Sequence, residues 1–481
     1  MQKVSCPSCG AEVAFKSTAS VLAVCEFCKT TILKDADSVK NLGKMSDVLE
    51  DYSPIQIGTS GVFGDQAFNV IGRIQLRYPA GMWNEWYVLF DDGKAAWLSD
   101  ASGMYTLTQE RPASADTQLP TFEELQPARN YALAGMNYVG ADIRTAECIG
   151  GQGELPFKVG KGWQARVADF RAGANFLTLD YSDADIPAVY TGQAVTLEGL
   201  KCQLLRDEDQ VKTSAGKFKG KVDALSCPSC GSSVSFLPGV TTTILCPSCH
   251  AQVDAAGPKA EVLQAATRMS QVATTLELGA KADINGKPFE IIGLMQRADD
   301  ENTSWTEYLL YSARGGFLWL VETDAGWERS TVLDEWPGWF KEESVAYGKA
   351  TYQKLYRYPA TVTFAAGAFN WRVNVGDQTD IIEYEAGQKK LAAEITAEEL
   401  NWSQSLPVSP DQIRAWFGDK IAADKEEAPD GLEDISTKFI WWIIGLNAIP
   451  LFFAMGDTFV PTLMALAAVY LPAKAISWLK G

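Results

Sequence analysis

Two quartets of cysteines with the same spacing constrain this chain more than any other feature. Each quartet consists of a C-x-x-C pair, fifteen further residues and a second C-x-x-C pair. The quartets are Cys6, Cys9, Cys25, Cys28 and Cys227, Cys230, Cys246, Cys249. A C-x-x-C turn aims two thiolates at one point, so two facing turns close a tetrahedron around Zn²⁺. The sequence therefore predicts two zinc ribbons, each with a four-thiolate site.

Disulfide bonds are the alternative use of these cysteines. They need an oxidising compartment, and the first ten residues have neither the basic nor the apolar region of a signal peptide. We therefore expect reduced thiols and two bound Zn²⁺ ions. A four-thiolate site has no open coordination position, so each ion is expected to stabilise the fold rather than to act on a substrate.

The quartets also reveal an internal duplication. Cys227 follows Cys6 by 221 positions, and the same offset relates Gln66–Gly72 to Lys287–Gly293. Later matches, where the register drifts, are Val167–Phe170 with Ile381–Tyr384 and Gly173 with Gly387. Two copies are too few for a solenoid, so we expect two similar units, each a ribbon followed by a larger domain.

Hydrophobic patterning in the larger domains has a period of two. Short apolar runs such as Phe68–Ile74 and Trp86–Phe90 are separated by turn signals such as Asp91-Asp92-Gly93. This pattern predicts a mainly β protein with a small antiparallel barrel or sandwich in each copy. Helices are predicted over Lys259–Gln271 and after Ser409-Pro410. The expected segments are ribbons at 1–40 and 222–258, β domains at 50–204 and 274–408, and an acidic linker with a short helix at 409–437.

The segment 438–478 is expected to form a membrane hairpin. Two uncharged runs, Phe439–Met455 and Phe459–Ala473, flank a short polar turn. The runs are slightly short for a bilayer core, but a spanning hairpin is favoured because they are adjacent, uncharged and separated by a three-residue polar turn; a re-entrant or interfacial hairpin is the alternative. Lys438 precedes the hairpin and Lys474 follows the second run, so both ends are predicted to face the cytoplasm. We expect a protein of the bacterial inner membrane with its bulk in the cytoplasm, and the hairpin also suits packing into a homo-oligomer.

Charge and composition exclude some function classes. The net charge is −18, which disfavours nucleic acid as a partner. The chain has one histidine, His250, directly after the last ribbon cysteine. There it is expected to serve as a turn residue or a donor to the metal site, so histidine-based catalysis is not supported. We expect no enzyme.

An aromatic and acidic motif occurs in both copies. Its members are Trp83, Glu85, Trp86 and Trp97, which recur as Trp305, Glu307, Tyr308 and Trp319. In the structural interpretation the aromatic side chains fill a core and the glutamate binds backbone or an arginine such as Arg73. In the functional interpretation the eight residues form pockets for a cationic ligand, because aromatic faces and carboxylates both attract ammonium or guanidinium groups.

Several of these motifs together resemble a known bacterial family. The ribbon, the Phe-x-Val/Ile-Ile-Gly run, the Trp-x-Glu-Trp/Tyr run and Phe369-Asn-Trp-Arg-Val-x-Val-Gly-Asp377 are similar to domain of unknown function four-one-seven-eight. The second copy fits better, because the first lacks a match to Leu400-Asn-Trp-Ser403. The resemblance implies a membrane-anchored, ribbon-bearing protein from a setting of envelope stress and polyamine-related genes.

These observations favour a membrane-anchored, cytosol-facing adaptor or scaffold for protein partners, in a bacterial envelope-stress response. Paired domains suit bivalent capture, in which the second contact profits from a high effective concentration. The alternative is a sensor that binds a cationic small ligand such as a polyamine through the repeated Trp and Glu positions.

Overall fold

The computed structural model describes most of the chain up to Gly418 and short pieces beyond it. The described residues are 2–17, 19–35, 38–44, 53–79, 81–101, 104–112, 119–159, 162–206, 223–236, 241, 243–254, 261–264, 274–312, 316–338, 341–418, 443, 459–466 and 468. The regular structure in them is almost entirely β-strand, as the period-two patterning predicted.

Fifteen strands form the first copy. Those of ribbon 1 are β1 Gln2–Ser5, β2 Glu12–Phe15, β3 Leu22–Val24, β4 Thr30–Asp35 and β5 Ser38–Lys44. Those of the following domain are β6 Ser60–Phe63, β7 Gln66–Tyr78, β8 Gly81–Phe90, β9 Ala95–Ala101, β10 Met104–Arg111, β11 Asn130–Leu133, β12 Met136–Leu155, β13 Gln164–Ala172, β14 Asn175–Asp180 and β15 Ala188–Val195. A 3-10 turn covers Phe122–Glu124.

The second copy repeats these strands in the same order. Ribbon 2 contains β16 Asp223–Ser226, β17 Ser233–Phe236, β18 Thr243–Leu245, β19 Gln252–Asp254 and β20 Glu261–Gln264. The domain after it contains β21 Lys281–Ile284, β22 Lys287–Ala298, β23 Ser304–Ser312, β24 Gly316–Thr323, β25 Gly326–Val332, β26 Ser344–Tyr347, β27 Ala350–Phe369, β28 Gln378–Ala386, β29 Lys389–Ile395 and β30 Leu400–Val408. Each strand thus has a counterpart fifteen strands earlier, which agrees with the duplication read from the sequence.

Each larger domain is a closed antiparallel barrel of eight strands. The order in the first is β12-β13-β14-β15-β10-β9-β8-β7, and β7 also pairs with β12. In the second copy β27 takes the place of β12 and pairs with β22 to close the ring. We call these domains barrel 1 and barrel 2. Closure removes the exposed edges that an open sheet would present.

Contacts between distant strands identify the inner face of each barrel. Arg297 on β22 donates from Nη1 to Glu394 Oε2 on β29 at 3.0 Å, although β27 and β28 lie between these strands in the sheet. In barrel 1 the charges of Asp169 and Asp180 act on Glu85 across two or three intervening strands. Such contacts pass through the barrel interior. Polar residues therefore lie inside, together with aromatic ones.

The outer faces are apolar and covered by flanking segments. Trp86, Phe68 and Leu98 of barrel 1 are almost fully buried beneath Ile55 and Leu200, which come from the segments before and after the barrel. On a strand, successive side chains alternate between the two faces. On this side of barrel 1 the strands are thus largely apolar toward the outer cover and mixed toward the interior.

The ribbons extend the barrel sheets instead of forming separate domains. Strand β3 pairs with the end of β12, where Leu22 lies opposite Leu155, and β18 pairs in the same way with β27. Gly72 lies at this junction, because a Cβ there would stand 1.8 Å from the carbonyl oxygen of Glu154. The equivalent Gly293 would place a Cβ 2.7 Å from the Ala368 oxygen. The Ile-Gly signal in both copies thus reflects a close backbone approach.

One predicted helix is replaced by a strand. The pattern over Lys259–Gln271 predicted a helix, but Glu261–Gln264 form β20, while residues 265–273 lie outside the described part. The reason is the edge of β19, where Val253 faces Val262. Hydrogen bonding to an available sheet edge overrides local helix preference here.

The helix predicted after Ser409 is present as α1, Pro410–Phe417. Ser409 Oγ accepts a hydrogen bond from Gln412 N at 3.2 Å, and Pro410 occupies the first turn.

The acidic run of the linker and most of the expected hairpin lie outside the described residues. Residues 459–466 are helical. Within the described part of the chain, no helix is long and apolar enough to cross a membrane.

By internal contacts the chain divides into two units. The first comprises Met1–Val272 and Glu277–Phe417 and so contains both ribbons and both barrels, and the second comprises Ala273–Leu276 and Gly418–Gly481.

Candidate metal centres and the barrel interiors

The four C-x-x-C turns share one backbone design. The residue after each second cysteine has a left-handed conformation and donates its N–H to the carbonyl of the first cysteine at 2.8–2.9 Å. These residues are Gly10 (φ 79°), Lys29 (φ 59°), Gly231 (φ 76°) and His250 (φ 58°). A non-glycine residue there costs on the order of 1 kcal/mol. Metal binding provides far more than this, so Lys29 and His250 are tolerated.

The thiols meet in two tight clusters. In ribbon 1 the Sγ atoms of Cys6 and Cys28 lie 3.6 Å apart and those of Cys9 and Cys25 lie 3.7 Å apart. Both corresponding distances in ribbon 2 are 3.8 Å. A tetrahedron with Zn–S bonds of about 2.3 Å has sulfur–sulfur edges of about 3.8 Å. These separations fit a metal ion and exceed the S–S bond length of about 2.05 Å.

One thiol of each cluster receives hydrogen bonds that favour the thiolate, whereas burial raises the pKa of Cys246 to about 12. The hydroxyl and backbone N–H of Thr30 lower the pKa of Cys28 to about 6. The same groups of Ser232 lower the pKa of Cys230 to about 6. In both cases the hydroxyl residue stands two positions after the cysteine. All eight cysteines predicted as ligands are therefore brought together in two four-cysteine clusters able to hold a metal. A bound Zn²⁺ would link the two hairpins of each ribbon.

His250 packs beside its cluster. Its ring meets Phe364 edge to face at 5.9 Å, and its Nδ1 is buried with no hydrogen-bond partner among the described residues. Its backbone fills the left-handed position that Lys29 fills in ribbon 1. The expected role as a turn residue is consistent with this placement.

The structure divides the aromatic and acidic motif between two faces. Trp83, Glu85 and Trp97 lie on the inner face of barrel 1, whereas Trp86 lies on the outer face. Barrel 2 repeats this division, with Trp305, Glu307 and Trp319 inside and Tyr308 outside. The alternation of side chains along β8 and β23 produces it. The four residues of a copy thus do not surround one pocket.

Arg73 does not bind Glu85. Its guanidinium lies on the outer face, where Nε donates to Asn84 Oδ1 at 3.0 Å and the group stacks over Trp86 at 4.6 Å. Glu85 instead accepts hydrogen bonds from Trp83 Nε1 at 2.7 Å and from Ser99 Oγ at 2.6 Å. Burial raises the pKa of Glu85 to about 8, although both hydrogen bonds oppose the rise.

Further carboxyl groups share the interior of barrel 1. Burial raises the pKa of Asp142 to about 7 and that of Asp169 to about 6, and it also raises the pKa of Asp180. Arg144 forms an ion pair with Asp142. Burial therefore keeps the proton on these interior carboxyl groups to a higher pH than in water.

Barrel 2 places a guanidinium at the corresponding site. Arg297 Nη1 lies 3.4 Å from Glu307 Oε1 and 3.0 Å from Glu394 Oε2, and its side chain is 5% exposed. Burial raises the pKa of Glu307, and the charge of Arg297 opposes this rise. Trp305 Nε1 donates to Glu307 Oε1 at 2.7 Å, as Trp83 does to Glu85.

Asp180, Arg297 and Glu394 were not predicted from the sequence. A signal for two of them was present, since the matched Gly173 and Gly387 are followed seven residues later by Asp180 and Glu394. Arg297 stands where barrel 1 has Leu76, so a search for shared residues passes over it.

The comparison with known families assigns both barrels. Residues 56–197 and 277–410 each match a family described as "Domain of unknown function (DUF4178)". The chain belongs to the DUF4178 family. The first matched range covers β6 to β15 and the second covers β21 to β30, so each DUF4178 domain here is one barrel. A four-cysteine cluster precedes each DUF4178 domain. No curated protein matches the chain.

Proposed function

We propose that this DUF4178 protein is a non-catalytic adaptor that holds two ribbon-barrel units in a fixed arrangement and presents them to protein partners. The observation that supports this most is the direct contact between the copies. Arg144 Nη2 lies 2.8 Å from Glu399 Oε2, Ile143 N donates to Glu398 O at 2.9 Å, and Trp336 N donates to Gly173 O at 3.2 Å.

Apolar packing strengthens this junction. Val139 and Ala141 of barrel 1 belong to the same buried cluster as Leu333, Trp336 and Trp402 of the second copy. Two binding surfaces at a fixed separation favour a partner with two matching epitopes, because the second contact forms at a high effective concentration. A flexible linker would give less of this advantage.

The remaining parts of the proposal come from the sequence. The uncharged runs 439–455 and 459–473 would anchor the adaptor in the bacterial inner membrane, with the ribbons in the cytoplasm. Closed four-thiolate sites support a structural role for zinc and no catalysis. The envelope-stress setting follows from the family resemblance. The hairpin would also permit homo-oligomers.

Phe27 offers a specific test of the adaptor proposal. Its side chain is 76% exposed in the second turn of ribbon 1, and the equivalent residue of ribbon 2 is Ser248. The exchange Phe27→Ser therefore removes an exposed apolar contact while keeping a residue that the same turn already accepts.

The experiment is crosslinking of the full chain in native membranes, followed by mass spectrometry. Residues 436–481 alone serve as the control for contacts made by the hairpin. We expect a partner that is captured by the full chain, is absent with the control, and is weakened by Phe27→Ser with zinc content unchanged. Capture of the same proteins by the hairpin alone would reject the adaptor.

A further inference from the structure

A row of polar side chains crosses three neighbouring strands inside barrel 1. Glu85 on β8 lies directly opposite Ser99 on β9, and Ser99 lies opposite Thr106 on β10. Residues that face each other across paired strands point to the same side of the sheet. Because Ser99 donates to Glu85 on the inner face, Thr106 also points inward.

The hydroxyl of Thr106 lacks a partner. Thr106 is 5% exposed, and its Oγ1 has no hydrogen-bond partner among the described residues. A buried hydroxyl without a hydrogen bond is costly, on the order of 1–3 kcal/mol. Its oxygen can accept a hydrogen bond from a donor placed in the interior.

The carboxylates beside this row also have unused acceptor capacity. Among the described residues, neither Glu85 nor Asp180 forms an ion pair. Asp180 accepts bonds from Ser182 N and Ser182 Oγ at the single oxygen Oδ1, and each oxygen of Glu85 accepts one bond. A carboxylate has about four acceptor positions, so both groups can bind additional donors.

Barrel 2 shows what these two positions bind when a cation is available. Its counterparts of Glu85 and Asp180 are Glu307 and Glu394, and Arg297 bridges them. In barrel 1 the residue equivalent to Arg297 is Leu76, which packs in the apolar inner cluster. The same fold thus holds the same pair of acids, in one copy with a guanidinium of its own and in the other without it.

We infer that barrel 1 binds a small organic cation with an N–H donor head, a guanidinium or a primary ammonium, between Glu85 and Asp180, with Thr106 Oγ1 as a further acceptor. The head would occupy the place that the Arg297 guanidinium takes in barrel 2. Glu85, Ser99 and Asp180 are each half-buried, so neighbouring side chains do not fully cover them. The ring of Trp83 lies beside the site, because its Nε1 donates to Glu85 Oε1 at 2.7 Å.

The inference goes beyond the adaptor role and stands apart from it. Charge-assisted hydrogen bonds to carboxylates supply the affinity, and the matched acceptors select a head with several N–H donors. A quaternary ammonium ion has none and should bind poorly.

The test is isothermal titration of the zinc-loaded full-length protein in detergent at pH 9, above the pKa of about 8 that burial gives Glu85, so that its carboxylate is ionised. The probes are agmatine, putrescine and tetramethylammonium. Agmatine has a guanidinium and an ammonium head, and putrescine has two ammonium heads. We expect one site per chain for agmatine or putrescine, whichever head fits, and at least tenfold weaker binding of tetramethylammonium.

Three variants locate the site. Glu85→Gln removes the charge and should weaken binding at least tenfold. Leu76→Arg copies barrel 2, supplies an internal guanidinium and should also abolish binding. Glu307→Gln is the matched control in barrel 2 and should leave binding unchanged. Unfolding measurements on each variant separate loss of a site from loss of fold.

Three results would overturn the inference. One is the absence of saturable binding of both agmatine and putrescine at millimolar concentration. The second is binding that persists in a folded Leu76→Arg protein, and the third is binding of tetramethylammonium as tight as that of agmatine or putrescine. None of these results would bear on partner capture through Phe27, so the adaptor proposal is tested independently.

Discussion

The two barrels place interior carboxylates at two equivalent positions, Glu85 with Glu307 and Asp180 with Glu394, but neutralise them differently. Barrel 2 carries Arg297 between Glu307 and Glu394, and Lys390 Nζ lies 2.6 Å from Glu328. Barrel 1 has Leu76 and Thr106 where barrel 2 has Arg297 and Glu328.

This difference shows that duplication preserved the acids while changing their counter-charges. An acid beside a guanidinium can stay ionised when buried, whereas an acid without one retains its proton to higher pH. In the described part of the chain, Glu85 is an acid without a guanidinium beside it, and its pKa is raised to about 8. The copies therefore have one fold and two electrostatic interiors.

The two ribbons are alike in both copies, so they are the part of the molecule in which the copies do not differ. Disrupting a ribbon should have the largest effect on stability. Cys6→Ser and Cys227→Ser should each remove one metal equivalent and unfold one ribbon. Structural zinc contributes on the order of 10 kcal/mol or more of apparent free energy to such modules. Metal content by mass spectrometry and denaturant unfolding measure both effects.

The two ribbons serve as controls for each other in this experiment. Each variant should keep the zinc of the other ribbon, and pairing of β3 with β12 should be lost only in Cys6→Ser. Unchanged stability after complete chelation of both ions would contradict a structural role. Unfolding by a reducing agent alone would instead indicate disulfides.

Arg297→Leu makes barrel 2 resemble barrel 1 and should have the next largest effect. It leaves Glu307 and Glu394 without their shared guanidinium. Removing one partner of a buried ion pair costs about 3–5 kcal/mol. We expect a lower midpoint of urea unfolding at pH 7. Adding Glu307→Gln and Glu394→Gln should recover part of the lost stability. Equal unfolding midpoints for the single and the triple variant would show that the Arg297 guanidinium contributes only by packing.

Much of the fold was predictable because it depends on local signals. Cysteine spacing located both metal clusters, and period-two patterning with turn signals gave mainly β domains. The number of strands and the closure of each barrel were not predictable, because pairing of β7 with β12 joins residues such as Gly72 and Gly153 that are far apart in the sequence. The strand at Glu261–Gln264 escaped prediction for the same reason, since its partner β19 determines its conformation.

The interior site was predictable only in part. The recurrence of Glu85 as Glu307 identified one wall, but Trp86 and Tyr308 were grouped with it although they point outward. Alternation along the strand could have separated them. The counter-charge could not be found from one copy's motif, because Arg297 reaches Glu394 only after the sheet closes into a barrel.

The pH dependence of stability sharpens the comparison further. Glu85 has a folded pKa of about 8 against an ordinary value of 4.5, so the folded state holds more protons between these values. Stability contributed by this group therefore falls as pH rises from 4.5 to 8. Glu85→Gln should flatten the curve of unfolding free energy against pH in this window and be more stable than the parent at pH 9.

Neighbouring groups define the control for that measurement. Asp169 and Asp180 face Glu85 from β13 and β14, Arg144 acts on Asp169 from β12, and Ser99 donates from β9. Asp169 and Asp180 titrate in both proteins, so the difference between the two curves reports Glu85 together with its interaction with these two carboxyls. Parallel curves would show that the carboxyl of Glu85 titrates near its ordinary pKa in the folded protein.

The smallest expected effect concerns the contact that joins the copies. Glu399→Gln weakens the ion pair with Arg144, which keeps Asp142 and the ring of Tyr78 as partners, the latter 3.9 Å from its guanidinium carbon. Glu399 is 37% exposed at its side chain, so the loss should be about 0.5–1 kcal/mol.

Hydrogen exchange measures the local consequence of that change better than global unfolding. The amide of Ile143 donates to Glu398 O beside the ion pair, so its exchange should accelerate severalfold in Glu399→Gln. Glu398→Gln is the matched control, because Glu398 is exposed and contributes its backbone oxygen to this contact. If both variants exchange like the parent protein, the ion pair does not hold the copies together, and the apolar cluster of Val139, Leu333 and Trp336 is the main contact that does, beside the Trp336 N to Gly173 O bond. The fixed separation required for bivalent capture would then depend on packing, and substitutions in that cluster, not in the ion pair, would be the way to uncouple the two units.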